Sequence, residues 1–417
     1  MLQQRRIQPN GAPEHGVTVH VVYEPPESPL KPTNLFKEPR SWSWRIVLTF
    51  AATLIVSIIV VKQLCHFCSS RCDLIDWTQR SLLDAVPVVA TQADLDHYIH
   101  RREPALLQGW LRDWPAIEKW SPRWFGDAMS DQQVEVFFWG RTGSDWRRTR
   151  VFYLTMRQYT ALLRAHAARV RSLGAAAAGP APYLQEDEGL FSDHQDMLLP
   201  DVRNLPFRPY LTDGNSGAPL FSGTETETAF WMGPPNARTG IHWDSIDAIL
   251  HQLHGTKRVT LWPPGAREDL YPSSKYNHGA ELSRVDAAAP NYTNFPRFAS
   301  AKPVSALLPA GSALFLPAGW WHAVTSLDTT ISVALRSQSG CQRRAALADD
   351  FLQWLHNRGW YKRNNCVCHR AQEVDRHVMH DGGDDEDDDL GDAVNELMRA
   401  AGIHHGGRDH SDGGSDE

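Results

Sequence analysis

Two histidines and one aspartate constrain this chain more than any other residues. His242 and Asp244 stand two apart in Thr239-Gly-Ile-His-Trp-Asp244, which reads as an extended segment. Alternate side chains of a strand leave the same face, so the pair points one way. His322 comes far downstream, in Leu314-Phe-Leu-Pro-Ala-Gly-Trp-Trp-His322, just past a Pro-Ala-Gly turn. Two imidazoles and a carboxylate on one face of a metal are the facial arrangement of non-haem Fe(II) sites, which leaves positions open for reactants. Lys257 opens a second apolar strand, thirteen residues after Asp244. Burying an ammonium without an anionic partner is costly, so this lysine suits a pocket that receives a carboxylate. A strand-end lysine turned to solvent is the plain alternative. A site for 2-oxoglutarate and O2 needs such a set: two metal positions for the 2-oxo acid end, one for O2, and a cation for the distal carboxylate. Iron is preferred to zinc here, because a buried lysine serves a dicarboxylate and not a hydrolytic water.

The pattern extends beyond these residues. Trp231-Met-Gly-Pro-Pro, Thr239-x-x-His242-x-Asp244, Gln252-x-x-Gly-x-Lys257-Arg, Leu261-Trp-Pro-Pro, Tyr271-Pro, Pro309-Ala-Gly-Ser-Ala-Leu-Phe-Leu-Pro and Gly319-Trp-Trp-His322 together resemble the JmjC-domain, cupin-type 2-oxoglutarate oxygenases. The small hydroxylase-like members, such as factor inhibiting HIF and the arginine hydroxylases, are the most similar. The resemblance covers residues 86–340 and is densest after 225. It implies a mainly β fold, a double-stranded β-helix (jelly roll) with flanking helices. It implies Fe(II) held by His242, Asp244 and His322 as the catalytic centre, with 2-oxoglutarate and O2 as co-substrates. Lys257 would bind the co-substrate and Thr239 would hydrogen-bond the same carboxylate, although a plain strand threonine competes with that reading. A protein or peptide substrate is implied, with side-chain hydroxylation favoured over histone demethylation.

Two positions depart from the relatives. Ala248 stands where an asparagine often follows the ligand aspartate, and Ala334 where the last core strand commonly carries Asn or Ser. The tyrosine that commonly supports the distal carboxylate has no assignable position. Two other classes stay open. One is a non-catalytic JmjC-like binding module; the other is a different cupin enzyme such as a sugar isomerase, which would leave Lys257 without a role.

Around this core the 417 residues divide by composition. Residues 1–44 are rich in Pro, Glu, Lys and Arg without hydrophobic periodicity and are expected to be disordered. Ile46–Val61 is an unbroken apolar or small run flanked by Trp42, Trp44, Arg45 and Lys62, so a single transmembrane helix is expected over 45–64. More positive residues precede it than follow it, which favours a type II anchor with the catalytic domain lumenal (ER or Golgi); a cytosol-facing domain is the alternative. A stalk over 65–85 carries Cys65, Cys68 and Cys72, which with Cys341, Cys366 and Cys368 would pair in a lumen, or accept lipid in the cytosol. Residues 341–370 should form a C-terminal helix that closes the barrel or joins two protomers. Residues 373–417 hold 15 Asp and Glu against 3 Arg. That stretch therefore carries −12 of the −7 net charge, the remainder carries +5, and a disordered acidic tail is expected over 371–417. A nucleic-acid substrate is not expected, since no basic stripe is present.

Local signals place the remaining elements. Thr91-Gln-Ala-Asp94 caps a helix with Leu95, Tyr98 and Ile99 inward. Ser121-Pro122 starts another, Val134–Phe138 reads as a strand, and Thr155–Val170 as an amphipathic helix. Gly311 and Gly319 should mark hairpin turns, the second delivering His322. His251 and His254 read as satisfied or solvent-facing histidines, Trp320 and Trp321 as packing, and Trp243 as pointing away from the metal or over the cleft edge.

Overall fold

The structure is a computed structural model that describes residues 75–80, 83–138, 150–175, 177–202, 227–275, 280–337, 350–362, 366 and 388–403. Nearly all of them lie within one folding unit, Cys68–Gly402. The expected N-terminal tail and the membrane segment 45–64 lie outside the described residues. Among the described residues no helix is long and apolar enough to cross a membrane. Cys366 is buried, and the other five cysteines lie outside the described residues.

The strands are β1 (Val88–Val89), β2 (Ala105–Leu107), β3 (Gln133–Phe138), β4 (Arg150–Thr155), β5 (Pro182–Asp187), β6 (Glu227–Gly233) and β7 (Arg238–Asp244). They continue as β8 (Asp247–His254), β9 (Thr256–Trp262), β10 (Ala280–Leu282), β11 (Val304–Pro309), β12 (Ser312–Leu316), β13 (Trp321–Ser326) and β14 (Thr330–Ser337). A nine-stranded sheet runs β1-β2-β12-β8-β14-β6-β5-β3-β4, and a five-stranded sheet runs β10-β7-β13-β9-β11. From β6 onward every pairing is antiparallel, and consecutive strands repeatedly cross between the sheets. This is the jelly-roll solution to the edge problem.

The two sheets share one apolar interior. Leu250, Leu314, Leu316 and Ala334 from the large sheet meet Val259, Leu261, Leu308 and Val324 from the small one. Strand β8 is buried along nearly its whole length, its polar Asp247, His251 and Gln252 included, so burial does not alternate along it. The outer face of the small sheet is covered as well. Ile241, Trp262, Trp321 and Ala323 pack there under Leu270, Val285 and Phe298.

Helix signals in the sequence have direct counterparts. Thr91 and Asp94 form a reciprocal capping box on the helix Gln92–Arg101, which buries Leu95 and Ile99. Ser121 caps Pro122–Ala128. Thr155 and Gln158 cap Met156–Leu173, whose Tyr159 hydroxyl donates to the Met232 carbonyl and accepts from the Leu184 amide. That tyrosine stitches β5 to β6.

Two expectations need correction. Gly311 and Gly319 sit in left-handed turns (φ 86° and 83°), yet neither turn closes a hairpin. Each carries the chain from one sheet to the other, because the strands it joins pair with different neighbours. Nor is the acidic tail without structure throughout. A helix spans Asp388–Ala400, buries Val394, Leu397 and Met398, and pairs Glu396 with Arg169 of the helix Met156–Leu173 at 2.7 Å. Apolar residues at i, i+3 and i+4 make one buried stripe on an otherwise charged segment. Of the expected C-terminal helix, 350–357 is helical and the part before 350 lies outside the described residues.

Candidate metal centre

Strands β7 and β13 are antiparallel neighbours in the small sheet, and His242 and His322 stand directly opposite one another in their register. Cross-strand partners share a face, so both imidazoles enter the interior, with ring centroids 4.2 Å apart. Asp244 follows two residues along β7 on the same side, its Oδ2 3.8 Å from His322 Nε2. One donor atom from each of the three can be chosen so that all lie within 4.8 Å of one another. Among the described residues this is the one such group of metal-ligating side chains.

Hydrogen bonds behind the rings settle which nitrogen is offered. His242 Nδ1 is 2.8 Å from the Gly240 carbonyl, and His322 Nδ1 is 3.0 Å from the Trp320 carbonyl. A carbonyl only accepts, so Nδ1–H donates in both rings, and in a neutral ring held this way the lone pair is on Nε2. That tautomer is the one a metal needs. Burial, then His242, hold His322 below its ordinary pKa, which favours the neutral imidazole. For Asp244 burial acts upward, but His242, His322 and Arg336 outweigh it and hold the carboxyl below its usual value. The donor set, two imidazoles and one carboxylate, therefore matches a divalent cation.

Thr239 reaches the same face by an irregularity. It stands three positions before His242, which in a regular strand would turn it outward. The pairing, however, runs His322 with His242 and Val324 with Thr239, so β7 carries one extra residue at a bulge. Thr239 is thereby returned to the interior. Its Oγ1 accepts from the Val324 amide at 3.1 Å, which leaves the hydroxyl proton free to donate.

Lys257 lies on β9 with its side chain fully buried, on the face it shares with Val259 and Leu261. Its Nζ donates to the Tyr183 hydroxyl at 3.3 Å. Among the described residues no carboxylate lies within ion-pair distance of it, and burial pulls its pKa down to about 7. A buried ammonium beside a buried phenol could receive an anion. Tyr183, on β5, stands where a tyrosine supporting a distal carboxylate could act; its signal was absent from the sequence because β5 and β9 belong to different sheets and the two side chains, 74 residues apart, meet only where those sheets face one another.

The other singled-out residues fall elsewhere. Trp243 is on the outer face, donating to Glu281 at 3.0 Å and packed edge-on to Trp77 at 4.9 Å. Trp320 and Trp321 are buried packing residues. His251 is fully buried, bonded through Nδ1 to the Val333 carbonyl and stacked on Trp114. Ala248 and Ala334 belong to the apolar interior itself, which explains why small apolar residues suit those places. Arg336, on β14, pairs with Glu186 and Glu188 beside the site. Glu186 takes a positive φ of 58°, an unusual conformation for a residue other than glycine.

Comparison with known proteins agrees with this geometry. The model of the cupin-like domain matches residues 90–335. The chain is 27% identical over 245 residues to "Lysine-specific demethylase 8" of Xenopus tropicalis, covering 57% of this chain and 49% of that protein. It is 27% identical over 246 residues to "Jumonji C domain-containing protein 5" of Drosophila melanogaster, covering 56% and 54%. Over 147 residues it is 33% identical to human "HSPB1-associated protein 1", covering 34% and 28%. The matches thus span about half or less of those relatives. The match over most of the described strands, joined to the two-histidine, one-aspartate cluster, shows that the chain belongs to the cupin-like domain family, whose JmjC members are oxygenases using Fe(II), 2-oxoglutarate and O2.

Proposed function

We propose that this chain is an Fe(II)- and 2-oxoglutarate-dependent dioxygenase that hydroxylates a protein side chain. One observation carries the reading: the metal-ligating cluster and the buried Lys257–Tyr183 pair open into the same interior. His242, Asp244 and His322 would hold the iron. Lys257 and Tyr183, helped by Thr239, would fix the distal carboxylate of 2-oxoglutarate. When bound, the iron and its co-substrate couple oxidative decarboxylation to succinate and CO2 with hydroxylation of a C–H bond. The chain contributes position and dryness: the Gly240 and Trp320 carbonyls hold the imidazole tautomers, and the apolar interior keeps water from the reacting centre.

Two relatives bear the names of a lysine-specific demethylase and a Jumonji C protein, which supports a second reading: hydroxylation of an N-methyl carbon, with loss of formaldehyde. Mass spectrometry of a basic peptide separates the two, since hydroxylation adds one oxygen and demethylation removes a methylene. Turnover of 2-oxoglutarate by the full chain with Fe(II) should disappear in His242→Ala and Lys257→Ala. Turnover that persists in His242→Ala rejects the metal assignment, and metal binding without 2-oxoglutarate affinity supports a non-catalytic binding module instead.

The apolar run Ile46–Val61 supports a membrane anchor, and the positive residues more numerous before it than after it support type II, with the catalytic domain lumenal. Protease protection on sealed vesicles tests the side: digestion of the domain without detergent rejects a lumenal placement. The helical stretch 350–357 and its surroundings expose Phe351, Trp354 and Trp360, which supports pairing of two copies. Sedimentation of the detergent-solubilised chain as a monomer excludes that pairing.

A further inference from the structure

Three residues beyond the ligand aspartate, Asp247 opens β8 with its carboxylate buried (5% exposed). Both oxygens receive the guanidinium fork of Arg102, each at 2.6 Å. Oδ1 also accepts the Ala318 amide at 2.7 Å. Ala318 sits in the Pro317–Gly319 turn that leads into β13, so the carboxylate holds that turn by its backbone. Arg102 holds the same turn from a second direction. It ends the helix Gln92–Arg101 in the left-handed conformation (φ 57°), and its carbonyl accepts the Trp320 indole N–H at 2.8 Å.

These bonds lead to the metal ligands on both sides. The next amide in the turn, Gly319, donates to the Asp244 carbonyl at 3.0 Å, tying the turn to the end of β7. The Trp320 carbonyl receives Nδ1–H of His322 at 3.0 Å and so sets that ring's tautomer and tilt. Displacing Ala318 or Trp320 therefore moves the groups that aim His322 and Asp244. A buried ion pair is weak evidence of stability, because desolvation offsets most of the attraction. What the fork contributes is geometry, since a bidentate pair fixes direction as well as distance.

We infer that Arg102 and Asp247 are positioning residues of the metal centre, acting through the Pro317–Gly319 turn and Trp320. The inference rests on the metal assignment to His242, Asp244 and His322. Outer groups of this kind change metal affinity about 10–100-fold when removed.

The test is Co(II) titration of the metal-free full chain, following affinity and the visible absorption of the bound ion, alongside thermal unfolding without metal. His322→Ala must lose Co(II) binding; if it binds as before, the metal assignment itself fails, whatever the pair does. Arg102→Met combined with Asp247→Leu removes both charges and fills their volume. Stability near that of the parent with Co(II) affinity lowered about 10–100-fold and an altered spectrum supports positioning. Recovery of stability together with parental affinity and spectrum overturns it. Should the double variant not fold, Asp247→Asn keeps an acceptor for the Ala318 amide and loses the charged fork. Weakened affinity with a changed spectrum is the expected result, and parental values for both reject the inference. Leu397→Ala, in the distant helix Asp388–Ala400, controls for general loosening: an equal fall in affinity there also rejects it.

Discussion

Lys257 is where burial and chemistry pull hardest against each other. Out of water and without a carboxylate partner, its ammonium is partly deprotonated near pH 7, with the pKa lowered to about 7 by burial. A bound dicarboxylate beside it restores the charge and raises that pKa. Binding of 2-oxoglutarate above pH 7 should then take up a proton, whereas below about pH 6 the lysine is already charged and the uptake vanishes. Affinity should weaken with rising pH above 7, by at most about tenfold per unit. Calorimetry in two buffers of different ionisation enthalpy reads the uptake directly, and a buffer-independent heat at pH 8 refutes it. Lys257→Arg, which stays charged, should bind without this pH dependence if the guanidinium fits. The triad and this lysine were legible in the sequence because their signals are local: an alternation along one strand, a turn before a histidine, a cation opposing its apolar neighbours. Tyr183 and the inward return of Thr239 were not, since one depends on a contact across 74 residues and the other on a bulge that only the partner strand reveals.

At the scale of elements, turns decide how the strands are shared between the sheets. Gly255 alone separates β8 from β9, which belong to different sheets, and it does so with φ 69°. A Cβ at that position would run into the Thr329 carbonyl oxygen, which is backbone and has little room to yield. The turn is further held by the Gln252 side-chain amide donating to the His254 carbonyl at 2.6 Å, with the Ser332 hydroxyl donating to Gln252 at 2.7 Å. Gly255→Ala should therefore cost about 1–3 kcal/mol and weaken 2-oxoglutarate binding, because Lys257 lies two residues on. Chemical denaturation that shows a loss below about 0.5 kcal/mol, the range of neutral surface changes, contradicts this account. Glycine after proline was enough to read a turn from the sequence; it did not say whether the chain folded back beside itself or crossed to the facing sheet. That choice is made by where the partners of β9, β12 and β13 lie, which no local window contains. The helix Asp388–Ala400 was hidden for a related reason. Its surrounding acidic composition masks a short apolar stripe that becomes helical only against the helix Met156–Leu173.

For the molecule as a whole, two buried histidines bear on its acid tolerance. Burial lowers the pKa of His251 to about 3 and of His166 to about 4, in each case opposed weakly by a backbone carbonyl, of Val333 and of Gly179. In the unfolded chain both titrate near the ordinary value of about 6.5. Between these limits the unfolded state binds more protons than the folded one, so stability is fully present above about pH 6.5 and falls as the pH drops toward 4. Glu135 and Asp187 oppose this trend, because burial raises both carboxyls and the fold prefers them protonated. The total slope is therefore a difference, and substitution is what isolates the histidine share. His251→Gln removes a titrating group from the stack on Trp114 while keeping a donor for the Val333 carbonyl. Its melting temperature should lie below the parent's at pH 7.5 and change less than the parent's between pH 6.5 and 4.5. Parallel curves for the two proteins across that interval would mean that His251 takes up its proton as readily inside the fold as outside it, and the buried, neutral ring beside Trp114 would have to be abandoned.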